Sequence, residues 1–125
     1  IENEDKGFFS VQNILLFRQY LIDTYDVAIP ICYDNLHDVC NNTCDNDVET
    51  NMNLCLETWP EDVEPVFHWS EGKEDKMRSH RDYYTDNFFP PMAHRPIKWE
   101  CEVKAKDYAI CQLLEQHETE NLLVA

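Results

Sequence analysis

His37 and Asp38 stand side by side at the head of the stretch HDVCNNTC, with Glu49 following after a polar turn. A histidine can take a proton from water when one ring nitrogen faces the water and an acid holds the other. If this stretch is helical, neighbouring side chains diverge by about 100°. Asp38 is then badly placed to orient His37 but free to hold a cation beside it. Glu49, on the next helix, is the candidate for the orienting acid. A plainer reading stands beside this one: two polar residues on a helix stapled by cysteines, since positions four apart share a face.

The elements that must position these residues can be read from spacing. Ser10 stands where a helix N-cap belongs, with Phe9 and Ile14 placed as a hydrophobic staple, and a helix over residues 11–24 follows. Its apolar stripe is widened by Leu16 and Phe17, which predicts burial on more than one side. Asp26 to Pro30 breaks it. Residues 33–56 read as a helix, a turn at Asp45 to Asp47 and a second helix, and residues 57–98 as an irregular segment rich in Trp, Tyr, Phe and Pro. Trp99, Val103, Ile110 and Leu114 recur near helical spacing and predict a last helix over 99–117. The expected fold is mainly α, one disulfide-stapled helical domain over residues 1–125 with a central hairpin and a long aromatic segment.

CYDNLHDVCNNTC followed by VETNMNLCL resembles the active-site region of secreted phospholipases A2 of the group XII class. His37, Asp38, Cys40 and Cys44 match its first helix, and Glu49, Met52, Cys55 and Leu56 its second; the match covers residues 32–56. The resemblance implies that His37 activates a water, Glu49 orients the imidazole, Asp38 binds calcium, and the substrate is a phospholipid ester. No glycine lies between Gly7 and Gly72 to form the loop whose carbonyls complete such a calcium site. The expectation is therefore a divergent protein, weak or inactive as a lipase, that binds lipid or protein.

Cys32, Cys40, Cys44, Cys55, Cys101 and Cys111 form an even set in a short chain, which reads as disulfides and an oxidising compartment, secreted before mitochondrial; the pairing stays open. The spacings also resemble twin-cysteine helical proteins of the mitochondrial intermembrane space. The alternative is thus a non-catalytic accessory subunit of a larger assembly such as a respiratory complex. His37, His68, His80, His94 and His117 are scattered and no cysteine pair has zinc-ligand spacing, which disfavours a structural zinc. The start IENED, without Met or an apolar leader, reads as a processed form, and no run is long enough to cross a bilayer. A net charge of −15 points away from nucleic acid and towards a basic protein surface or zwitterionic lipid.

Overall fold

Short segments with alternate apolar residues build a parallel sheet with helices along one face. The computed structural model describes residues 1–124, with side chains described for residues 1–119. In chain order the elements are α1 (Val11–Tyr25), α2 (Asn35–Cys40), α3 (Val48–Leu56), β1 (Val66–Trp69), β2 (Gly72–Lys73), β3 (Lys76–His80), β4 (Lys98–Cys101) and α4 (Asp107–Val124). Strands β1 and β4 pair in parallel from Val66 with Lys98 to Trp69 with Cys101. Two parallel bridges, Asp34 with His68 and Glu2 with Cys32, extend the array. Four extended segments thus lie side by side in the order in which they occur, with helical or looped crossovers between them, the arrangement of successive β/α units.

Alternation along each segment decides what it shows to either face. Ile31, Tyr33, Phe67 and Trp69 are buried, the first three in a core with Val11 and Ile14 of α1 and Met52, Cys55 and Leu56 of α3. Burying each large side chain contributes about 1.5–3 kcal/mol. Trp99 packs edge-on against Phe67 at 5.6 Å and Trp69 at 5.5 Å, joining this core to a second one formed by Trp69, Tyr84, Val103, Ala109 and Leu113. The intervening residues Cys32, Asp34 and His68 cluster with Glu2, away from that core.

Two ends are capped from the sequence. Ser10 caps α1 by accepting from the Asn13 backbone N–H, and Asp47 caps α3 by accepting from Thr50. The antiparallel β2–β3 hairpin depends on Gly72, because a Cβ there would collide with the Met77 carbonyl.

The mainly α, disulfide-stapled expectation is corrected in both parts. The fold is mixed α/β: the segment read as irregular carries β1, β2 and β3, and the residues read as the start of the last helix form β4. Strands of four residues end before alternation can be distinguished from a run of aromatics. All six cysteines are free thiols. Cys55 is in the core, where burial pushes its thiol pKa up, and Cys101 and Cys111 are exposed on β4 and α4. The inference of an oxidising compartment, secreted or mitochondrial, rested on disulfides and falls with them.

Candidate metal centre

Ligands in sheets of this kind gather where strands end at their carboxyl side. There the chain brings together Glu2, Asp34, His37, His68 and Glu102. Three overlapping triads, Glu2–Asp34–His37, Asp34–His68–Glu102 and Glu2–Cys32–His68, each have ligand atoms within 4.8 Å of one another.

Asp34 is held from three directions. The Asn3 side chain donates to its backbone carbonyl at 3.0 Å and accepts from its N–H at 2.8 Å. Its Oδ1 caps α2 by accepting from the His37 backbone N–H at 2.9 Å. Its Oδ2 is left to face the rings, 3.7 Å from His37 Nε2 and 3.5 Å from His68 Nδ1. The cap thus fixes a carboxylate whose second oxygen points into the cluster.

Each imidazole has one nitrogen engaged from behind. His37 Nδ1 is 2.8 Å from the Asn3 carbonyl, which only accepts, so Nδ1 carries the proton and Nε2 keeps its lone pair. His68 Nε2 lies 3.1 Å from Glu100 Oε2, an acceptor that favours the proton on Nε2. His68 Nδ1 then faces Glu2 at 3.2 Å, Asp34 at 3.5 Å and Glu102 at 3.5 Å, and it is buried without a hydrogen-bond partner. A nitrogen lone pair held against three carboxylates is repulsive unless a proton or a cation sits between them. This orphaned atom shows that the residues fit a metal ion.

The electrostatics agree. Burial opposes charging of His68, but Glu2, Asp34, Glu102 and Glu100 outweigh it and raise its pKa. Burial raises the Glu2 carboxyl, helped by Asp34 and opposed by His68 and His37. Burial, with Glu2 and Asp34, pushes the Cys32 thiol up to about 12. Without a cation, the cluster holds its protons.

The residues singled out from sequence are distributed differently from the expected dyad. His37 is in the cluster, half-buried, and its ring contacts Glu2, Asp34 and Asn3. Asp38 is buried on the other side of α2, accepting from the Tyr33 hydroxyl at 2.7 Å and the Asn51 amide at 2.9 Å. Glu49 is exposed in the first turn of α3. Sequence reasoning passed over Glu2, Asp34, His68, Glu100 and Glu102. The signal that could have found them is a step of 32, 34 and 34 residues through positions 2, 34, 68 and 102, one polar ligand at the end of each extended segment.

A parallel β/α array with imidazoles and carboxylates at its strand ends is an arrangement that could hold divalent metal ions. The particular family is shown by its model, UV-endonuclease UvdE, which matches residues 1–123, and the chain belongs to that family. Enzymes of this family are metal-dependent. A UV DNA damage endonuclease of Bacillus velezensis is 30% identical over 124 residues, covering 93% of this chain and 37% of that protein. The crystal structure of SacUVDE is similar in fold, with a TM-score of 0.73 and 23% identity over 97% of this chain and 39% of that one. The chain therefore spans well under half the length of these relatives.

These findings replace the phospholipase A2 reading and the accessory-subunit alternative, together with the lipid or basic-protein partner. The exclusion of nucleic acid is overturned as well, since the family is one of endonucleases. Among the described residues no helix is long and apolar enough to cross a membrane.

Proposed function

We propose that this chain supplies metal-binding residues of an endonuclease acting on ultraviolet-damaged DNA. The observation that carries this reading is the orphaned His68 Nδ1 facing Glu2, Asp34 and Glu102, in a chain of the UvdE family. Divalent ions held there would supply Lewis-acid neutralisation of phosphate charge during phosphodiester hydrolysis.

The chain's own side chains do the positioning. Asn3 fixes the His37 ring through its carbonyl and fixes Asp34 through its side chain, so Glu2, Asp34 and His37 converge without further ordering. Glu100 holds the proton on His68 Nε2 and leaves Nδ1 for the centre. His80 at the end of β3 reaches Glu102 at 3.5 Å, tying the β2–β3 hairpin to the site. The hairpin region carries Lys73, Lys76, Arg78 and Arg81, of which Arg78 pairs with Asp5 at 3.4 Å and Arg81 with Glu71 at 3.6 Å, and the Lys104 N–H after β4 donates to the Arg81 carbonyl at 3.0 Å. Cations next to a metal site suit a phosphate backbone, and Lys73, Lys76, Lys104 and Lys106 are the candidates for that contact.

Calcium favours sites made wholly of oxygen ligands, whereas this donor set mixes imidazole with carboxylate and suits manganese, iron, cobalt or zinc. The test is nicking of irradiated against unirradiated duplex by the intact protein. Cleavage should need a divalent ion and irradiation, and should be abolished in His68→Ala and Glu102→Gln. Equal nicking of both duplexes, or full activity in His68→Ala, would refute the reading.

A further inference from the structure

Cys32 belongs to the strand segment that carries Asp34, two residues before it, so alternation puts both side chains on the same face while Ile31 and Tyr33 enter the core. A parallel bridge pairs Cys32 with Glu2, and the Cys32 N–H donates to the Ile1 carbonyl at 2.7 Å. That pairing holds Sγ, a Glu2 carboxylate oxygen and a His68 nitrogen within 4.8 Å of one another. Among the described residues, Cys32 is the one cysteine in any such triad. His68 Nδ1, buried and without a hydrogen-bond partner, is an independent sign that this space takes a ligand-seeking ion.

We propose that Cys32 is a thiolate ligand of the centre and that the Glu2–Cys32–His68 triad gives it one position selective for thiophilic divalent ions such as zinc, cobalt or cadmium. The inference rests on the reading of the cluster as a metal site. Metal–sulfur bond formation displaces the thiol proton to solvent, with no change in oxidation state. A soft sulfur in the Glu2–Cys32–His68 triad and the carboxylates of the Asp34–His68–Glu102 triad make two unlike positions that share His68.

The experiment is titration of the reduced intact protein with cadmium and, separately, with manganese, followed by ultraviolet absorbance for a sulfur-to-metal charge-transfer band and by calorimetry. Cadmium should give a band that saturates with the calorimetric binding. Cys32→Val should lose the band and weaken cadmium by at least about tenfold, the scale on which metal sites respond to losing even a supporting partner. Manganese binding should be nearly unchanged. Cys32→Ser, which keeps the volume and polarity of the site, should also lose the band, while Cys101→Val and Cys111→Val should retain it. A band that survives in Cys32→Val, or cadmium heat without a band, would overturn the thiolate while leaving the centre intact. Absence of any binding heat with either metal would overturn both.

Discussion

Replacing Glu2 by Gln should change stability in opposite directions with and without metal. Glu2 takes part in two of the three candidate triads, and its Oε1 lies 3.2 Å from His68 Nδ1 and 3.5 Å from His37 Nδ1. At about pH 9, where an ordinary histidine is neutral, chelator-treated protein holds Glu2, Asp34 and Glu102 around one uncharged ring. Removing one of those charges relieves repulsion, so the apo variant should be as stable as the parent or more so. Metal reverses this. An ion present at about 100 times its Kd stabilises the folded state by about 2.7 kcal/mol. Loss of a supporting partner alone weakens metal sites by about 10–100-fold. A loss of about 100-fold in Glu2→Gln would leave the same ion concentration near its Kd, where stabilisation is only about 0.4 kcal/mol. For a chain of this length the deficit of roughly 2 kcal/mol corresponds to about 6–12 °C in Tm. Thermal unfolding of both proteins, with chelator and with manganese, measures the four values. Equal destabilisation of Glu2→Gln in the two conditions would make Glu2 a structural residue and refute the argument.

Tyr33→Phe should cost about 1.5–3 kcal/mol at neutral pH by withdrawing a 2.7 Å hydrogen bond from buried Asp38, read as a lower urea midpoint at constant slope. Burial raises the Asp38 pKa, and the bonds from Tyr33 and Asn51 only partly lower it, so the folded state disfavours its ionised form. The stability that comes from holding this proton is full below the ordinary carboxylate pKa and lost as pH rises through the raised one, so the Tyr33→Phe deficit should shrink on acidification; a deficit independent of pH would contradict this. Metal affinity should rise with pH through and above the ordinary histidine value of 6.5, because Glu2 and His68 both hold protons more tightly than usual and must release them. Calorimetry in two buffers of different ionisation enthalpy measures those protons, and an affinity flat across that range would count against His68 as a ligand.

The helices were legible in the sequence because their signals are local. Ser10 caps α1 one residue before its start, and the break after Asp26 follows from a left-handed residue and the proline at 30. His37, singled out as half of a His-Asp pair, lies in the cluster with Glu2 and Asp34. The sheet was not legible, because β1 and β4 are four residues each and their pairing joins positions 32 apart. Val103, read as part of a helix face, instead lies in the turn between β4 and α4. The centre was hidden for the same reason as the sheet. Local spacing rules detect ligands that one turn or helix presents together, and they find five scattered histidines here. A β/α array presents one ligand per unit, so Glu2, Asp34, His68 and Glu102 become neighbours only after the segments pair. The cysteines misled by number: an even count suggested bridges, whereas Cys32, Cys55 and Cys101 occupy a ligand cluster, a core and an exposed strand.

Net charge misled because it sums over a surface that a polyanion never meets as a whole. Charges farther than about 8–10 Å from a phosphate are largely screened at ordinary ionic strength. Acids such as Glu57, Glu61, Asp62 and Glu64 are exposed in the segment between α3 and β1, and they count fully towards −15. Other acids have a different role: Glu2, Asp34, Glu100 and Glu102 converge on His68, and bound divalent ions would reverse the local sign there. Eight of the ten Lys and Arg residues fall within residues 73–106, among them Lys73, Lys76, Arg78, Arg81, Lys104 and Lys106, with Glu74, Asp75 and Asp82 interleaved. Lys73 lies close enough to Lys104 to lower its pKa, so like charges are crowded together there. On the proposed function, it is the bound divalent ions that would give phosphate a cationic approach here. That approach depends on metal, so chelation should weaken DNA binding as well as cleavage.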